Sequence, residues 1–313
     1  MNSEQLYGAL FGVAIGDALG VPVEFQSRST LQAYPVTDFI GYKSHNQPPG
    51  TFSDDSSLTF CLAESLCNGY NLQDIANKFI QWYDNAYWTA GGRVFDIGMT
   101  TNRAIGRLKK GVKPDLAGDF DEDSNGNGSL MRIMPLLFHI KDLDTSCRFA
   151  IIKEISSITH AHIRSVIACF YYLEMALQLL NGQDKETAYN TTGVIVQQFL
   201  LDEKIIAKEV NIFSDLLRTD ITSLTLSEIS SSGYVISTLK AAMWCFMRAN
   251  NFEEAVLMAV NLGSDSDTTA AVTGGLAGLY YGYEGIREKW RAEIARRDDI
   301  QNLCSRFYNS LTQ

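Results

Sequence analysis

Apolar positions along the chain recur at three- and four-residue steps, and runs that alternate apolar with polar residues over a strand's length are rare. Leu58, Cys61, Leu62 and Cys67 form one such stripe, with Gly69 as its stop signal. The same period predicts helices over roughly residues 72–87, 129–140, 145–158, 161–181, 185–200, 231–249, 252–261 and 268–282. No Pro-, Gly- or Ser-rich linker, low-complexity tract or fixed-period repeat interrupts them. The six prolines leave few breaks inside helices. The expectation is one all-α domain over residues 1–313.

Two of the helical stretches carry glycine ladders: Gly8, Gly12, Gly16 and Gly20 in the first, Gly274, Gly278 and Gly282 in the second. Four-residue steps place these glycines on one helix face. Each costs helix stability of about 0.5–1 kcal/mol against alanine, and close packing of two bare helix faces is the compensation expected. The two helices are therefore predicted to pack against each other at the centre of the fold.

Composition narrows the function classes. The chain has 313 residues, 46% hydrophobic and 20% charged, which fits a folded globule with a sizeable core. Its net charge of −10 disfavours non-specific binding to nucleic acid or anionic membranes, while surplus carboxylates suit hard cations. Cys61, Cys67, Cys147, Cys169, Cys245 and Cys304 contain no C-x-x-C pair and read as reduced thiols among apolar neighbours. The apolar stretch Leu6–Ile15 reads as neither a signal peptide nor a bilayer span: no cleavage pattern follows it, and it is too short. A cytoplasmic location is expected.

The chemical signals are acidic. Gly50-Thr51-Phe52-Ser53-Asp54-Asp55-Ser56 and Gly263-Ser264-Asp265-Ser266-Asp267-Thr268-Thr269 each place two acids and hydroxyls at the mouth of a helix. Either alone reads as an ordinary helix cap. If the two helices meet, four carboxylates converge, and such a cluster needs a cation between its members. Oxygen-only ligands select Mg²⁺, Mn²⁺ or Ca²⁺ over zinc. Asp17 lies within an otherwise apolar helix, with Glu24 after it; it is either a cap for a neighbouring element or a functional group. Ser124-Asn125-Gly126-Asn127-Gly128-Ser129 ahead of a helix is a turn or an anion-binding loop. Arg132, expected in that helix's first turn, opposes the helix dipole and calls for a specific partner.

Together these stretches resemble the ADP-ribosylglycohydrolase family, the group of dinitrogenase-reductase-activating glycohydrolase and the ADP-ribosylarginine hydrolases. The resemblance rests on Gly16-Asp17-Ala18-Leu19-Gly20, Gly50 to Ser56, Phe95-Asp96-Ile97-Gly98, Gly126 to Arg132, Thr159-His160, and Gly263 to Thr268 with Gly274-Gly275-Leu276-Ala277-Gly278. Ser232-Gly233-Tyr234-Val235 and Ala241-Ala242-Met243-Trp244 add to it, so the matches span almost the whole chain. The resemblance implies a single compact orthogonal helical domain with two Mg²⁺ (or Mn²⁺) ions. Ser53, Asp54 and Asp55 would supply ligands from one side, and Asp265, Asp267 and Thr268 from the other. Hydroxyls are retained at Ser53 and Ser266, where family members often carry threonine, and Ser264 replaces a frequent glycine.

By the same resemblance Gly126, Asn127, Gly128 and Ser129 hold the diphosphate and ribose, and His160 and Tyr234 contact the ligand. Glu24 lies near the metals, and Asp96 resembles the acid beside the scissile bond of arginine-directed members. The implied activity is hydrolysis of the N-glycosidic bond between ADP-ribose and arginine, with Asp55, Asp96 and Glu24 as the catalytic candidates. The substrate would be an ADP-ribosylated protein and the product ADP-ribose, handled by a monomer with no nucleic-acid or membrane partner. The alternatives are another ADP-ribose conjugate (ADP-ribosyl-serine or O-acetyl-ADP-ribose), a non-catalytic ADP-ribose-binding or toxin-immunity protein, and an unrelated two-metal phosphohydrolase.

Overall fold

The computed structural model describes residues 2–312; their regular structure is sixteen α-helices, five short 3-10 segments and no strand. The chain begins with α1 (Ser3–Gly20), α2 (Arg28–Ala33), α3 (Asp54–Leu66), α4 (Leu72–Asn85), α5 (Met99–Leu108), α6 (Leu136–Ile140) and α7 (Thr145–Ser157). It continues through α8 (Ile163–Leu180), α9 (Lys185–Asp202), α10 (Ala207–Ile212), α11 (Ser214–Arg218), α12 (Val235–Arg248) and α13 (Phe252–Val260). The last three are α14 (Ser266–Tyr281), α15 (Glu288–Glu293) and α16 (Arg297–Thr312).

Most predicted helices form within a few residues of their expected ends. The stretch 129–140 does not: only Leu136–Ile140 is helical and residues 128–132 form a turn. Pro135 is the reason, because it lacks an N–H and disfavours helical backbone in the residue before it. With no helix starting at Ser129, Arg132 opposes no dipole. Its partners are the carbonyls of Gly128 and Ile155, and its guanidinium lies 5.0 Å from the centre of the Phe79 ring. Helices α2, α5, α10, α11, α15 and α16 lie outside the predicted set. Several are a turn or two long, too short for a period to show. α16 does bury Ile300, Leu303, Cys304 and Phe307 at helical spacing, on an otherwise polar helix.

The glycine ladders pair as expected, antiparallel and backbone to backbone. A Cβ at Gly8 would stand 2.1 Å from the Gly278 carbonyl oxygen, one at Gly12 2.1 Å from that of Gly274, and one at Gly16 2.1 Å from that of Ala270. At the end of the ladder a Cβ on Gly20 would stand 2.3 Å from the Asp267 Cα. The same row that lets the helices touch thus lays the C-terminal end of α1 against the N-terminal end of α14. Ser266 Oγ, donating to the Gly20 carbonyl at 3.0 Å, closes the junction.

α1 and α8 are buried on nearly all sides, as a core helix should be, the charges of Arg164 and Glu174 on α8 being paired with Glu209 and Arg148. The first runs longer than its Leu6–Ile15 segment suggested, so length does not distinguish it from a bilayer span: both helices are long and apolar enough to cross a membrane. In both, nearly all residues of the most apolar stretch are instead buried inside the protein, where the other helices take up their apolar surface. All six cysteines are free; Cys147 is exposed and Cys67 half-buried, and the other four are buried.

Candidate active site

Asp17, near the end of α1, accepts the backbone N–H of Ser53 at 2.9 Å and that of Ser56 at 3.0 Å, and the Ser56 hydroxyl at 2.6 Å. Both its oxygens are engaged by the first turn of α3. The structure gives Asp17 the cap's role, satisfying orphan donors at a buried helix start, and it also sets a carboxylate oxygen of Asp17 beside those of Asp55 and Asp267. Burial pushes its carboxyl up to about 6 despite these donors. Hydrogen bonds to a charged acceptor are worth about 1.5–3 kcal/mol each. Asp17→Ala is therefore expected to cost at least about 3 kcal/mol, read as a lower midpoint in urea unfolding.

Held by that cap, α3 points Asp55 at the start of α14, while Asp54 is buried beside it within reach of the charges of Asp55, Asp96, Asp17 and Glu24. Asp55 Oδ2 accepts the Ser53 hydroxyl at 3.0 Å and the Thr268 hydroxyl at 3.3 Å, so the two acidic motifs meet at one oxygen across 213 residues of sequence. From the other side, Asn127 Nδ2 donates to Asp265 Oδ2 at 2.8 Å and to Thr238 Oγ1 at 2.9 Å. Thr268 N–H donates to Asp267 Oδ1 at 2.9 Å. Each of these three carboxylates has one oxygen tied down and the other free: Asp55 Oδ1, Asp265 Oδ1 and Asp267 Oδ2 are buried without a hydrogen-bond partner among the described residues.

The electrostatics are those of a cluster short of positive charge. Burial first, then the neighbouring acids, raise the carboxyls of Asp54, Asp55 and Asp267 well above the usual range. Asp265 is also raised, by burial. Burial and the charge of Asp265 push Glu24 up to about 8; burial and the charge of Glu24 push Asp96 up to about 7. Carboxylate oxygens of Asp17, Asp55 and Asp267, and of Glu24, Asp265 and Asp267, lie within 4.8 Å of one another in each group. Free, inward-facing carboxylate oxygens in an all-oxygen donor set suit hard divalent cations. The residues fit such ions.

The loop Gly126–Ser129 borders this cluster. Gly126 pairs with Tyr234, and Asn127 N–H donates to the Gly233 carbonyl at 3.1 Å. His160 packs against the loop: a Cβ at Gly128 would stand 2.7 Å from its Cε1, so only glycine leaves the imidazole room. Burial, with the charge of Arg132, lowers His160 to about 3 and keeps it neutral at physiological pH. Ser129 is fully buried, and its hydroxyl lies 3.0 Å from that of Ser156. Tyr234 precedes α12 and lines a cavity of about 240 Å³ with Ile212, Leu216 and Lys240.

His45 was not among the predicted residues. It lies against Glu24 Oε2 and 3.8 Å from Asp96 Oδ1. No motif or periodicity marks it, because its place depends on the loop around Ser44 folding back onto Pro22 and Glu24. Asp96 takes a left-handed backbone (φ 60°), a strained conformation of the kind that gathers at functional sites. Ser264 does too (φ 60°), which accounts for the glycine frequent at that position.

The family model described as ADP-ribosylglycohydrolase matches residues 2–313. The chain is 34% identical over 310 residues to the ADP-ribosylarginine hydrolase Tri1 of Serratia proteamaculans, covering 97% of this chain and 79% of that protein. It is 26% identical to the ADP-ribosyl-[dinitrogen reductase] glycohydrolase of Rhodospirillum rubrum, covering 93% and 90%. A solved structure titled ADP-ribosylglycohydrolase-related protein complex superposes with a TM-score of 0.82 at 30% identity, covering 99% of this chain and 98% of that one. In sequence along its whole length and in fold, the chain belongs to the ADP-ribosylglycohydrolase family.

Proposed function

We propose that the protein hydrolyses the N-glycosidic bond between ADP-ribose and an arginine side chain of a modified protein, using divalent ions held by Ser53, Asp54, Asp55, Asp265, Asp267 and Thr268. The observation that carries the reading is the set of three buried, unpartnered carboxylate oxygens on Asp55, Asp265 and Asp267. The similarity to an ADP-ribosylarginine hydrolase supports arginine as the acceptor. Two Mg²⁺ or Mn²⁺ ions would supply Lewis acidity and hold ribose hydroxyls.

The remaining work falls to the chain's own groups. Cleavage at the anomeric carbon builds oxocarbenium character on the ribose, and the buried acids offset that positive charge. The guanidino group is already cationic in the substrate, so it leaves as neutral guanidine with little acid help and afterwards takes up the proton that the attacking water gives off. Asp96 and Glu24, at the edge of the acid cluster, are placed to take the proton of the attacking water and to face the guanidino group. Asp55 is the third carboxylate candidate. The glycines at 126 and 128 let the diphosphate approach the backbone, while Asn127 holds Asp265. The reading takes residues 1–313 as one domain that acts as a cytoplasmic monomer.

The test is mass spectrometry on an ADP-ribosyl-arginine peptide with Mg²⁺, with Mn²⁺ and with EDTA. Intact ADP-ribose and unmodified arginine are expected with either ion, and less than about 1% of that rate with EDTA. Release of phosphate, or turnover indifferent to chelation, would overturn the reading.

A further inference from the structure

Glu24 belongs to two clusters at once. Inward it groups with Asp265 and Asp267; outward it groups with His45 and Asp96, the ligand atoms of each group lying within 4.8 Å of one another. The outer group is partly open, with side-chain exposures of 15% at His45 and 18% at Asp96. Aromatic rings flank it. The Phe95 ring centre is 5.3 Å from that of His45 and the Phe25 ring centre 6.1 Å.

Phe25 is unusual in two respects. It is 73% exposed although it follows directly on a buried acid, and its backbone is left-handed (φ 64°). That conformation is costly for a bulky residue and persists only where the surroundings impose it. They do so here: Phe25 N–H donates to the Ser264 carbonyl at 2.7 Å, and Ser264 N–H donates to that of Gln26 at 2.8 Å. The segment next to the metal-ligand loop thus holds an exposed ring at the mouth of the site. His45 is fixed as firmly, since Ser44 donates its N–H to the Pro22 carbonyl at 3.0 Å and its hydroxyl to the Glu24 carbonyl at 2.7 Å.

Two carboxylates beside a ring face make a site for a planar cation. Guanidinium pairs with carboxylates through its fork of N–H groups and stacks on aromatic faces, whereas a hydroxyl does neither. We propose that Phe25, His45 and Phe95 form the acceptor subsite, in which His45 is a positioning residue that holds Glu24, beside Asp96, toward the departing group and the Phe25 ring selects a guanidino group over a serine hydroxyl. The inference rests on the arginine reading above and names the residues that enforce it.

His45→Ala, His45→Gln and Phe25→Ala test it on ADP-ribosyl-arginine and ADP-ribosyl-serine peptides, with ADP-ribose affinity measured by calorimetry and bound Mn²⁺ by elemental analysis. Phe25→Ala is expected to raise KM for the arginine-linked peptide about fivefold with kcat within about twofold. His45→Ala should lower kcat about 10–100-fold, the scale of a lost supporting hydrogen bond, with KM little changed. His45→Gln, which keeps an N–H donor at similar reach, should recover about tenfold of that loss. ADP-ribose affinity and Mn²⁺ content should match the parent in all three.

If the variants weaken ADP-ribose and peptide alike, the rings serve the nucleotide and the proposal fails. Loss of one Mn²⁺ in His45→Ala would make His45 a metal ligand, which also overturns it. Arginine-linked turnover by the parent with indifferent variants ends the subsite alone; a parent that cleaves only the serine-linked peptide ends the arginine reading with it.

Discussion

Asp267→Asn is expected to lower turnover about a thousandfold and, in the chelated protein, to raise the melting temperature. The two effects have one cause. Asp267 is fully buried with Oδ2 unpartnered, and burial, followed by the charges of Glu24, Asp96, Asp55 and Asp265, raises its carboxyl well above the usual range. An amide of the same shape removes one of the like charges and its desolvation cost, and it also removes an oxygen ligand. The pH dependence has a definite sign. An acid whose folded-state pKa is raised binds more protons folded than unfolded between its two values, so stability falls as pH rises. For the chelated parent the loss begins near the ordinary carboxylate range, about pH 4. It continues through about 6 for Asp17, about 7 for Asp96 and about 8 for Glu24. Divalent ions should restore stability, more at pH 8 than at pH 6, because protons compete for the same oxygens. Melting curves with EDTA, Mg²⁺ and Mn²⁺ at both pH values check each part. An Asn variant less stable than the chelated parent, together with a parent that neither ion stabilises, would show that the acids balance one another without a cation.

The parts of this site legible in the sequence were those carried by periodicity and helix caps. Ser53-Asp54-Asp55 and Asp265-Ser266-Asp267 announce helix starts, and the glycine ladders announce that α1 and α14 touch; that α3 also meets α14, through the Asp17 cap, is written in neither and needed the structure. The ladder ends with Gly20 on Asp267, so the helix contact and the site share one register. What stayed hidden depends on segments without a period. His45 reaches Glu24 only because Ser44 folds its loop back onto Pro22. Asn127 lies in a glycine-flanked turn expected to meet a ligand, yet its side-chain amide is spent on Asp265 and Thr238. Asp17 was legible as an oddity in an apolar helix, and its role as a cap needed the three-dimensional position of α3.

Gly12→Ala is expected to destabilise the protein by about 3 kcal/mol or more, whereas Gly106→Ala should stabilise it by about 0.5–1 kcal/mol. Chemically the substitutions are identical, and both glycines lie inside helices, so intrinsic propensity favours alanine at each. Packing reverses the sign at one. The new Cβ at position 12 would stand 2.1 Å from the Gly274 oxygen and 2.9 Å from its carbonyl carbon, both backbone atoms with no rotamer to yield. Relief requires α1 and α14 to part, which forfeits dispersion contacts along their whole length. At Gly106, in α5, nothing lies within 4 Å of the added carbon. Parting the helices also moves Gly20 off Asp267, so Gly12→Ala should weaken the Mn²⁺-induced rise in melting temperature as well as the fold. Urea unfolding of both variants, with and without Mn²⁺, measures the two effects side by side. Equal and small changes in both would mean that α1 and α14 lie farther apart than backbone contact, and the registry that joins the two acidic motifs would go with it.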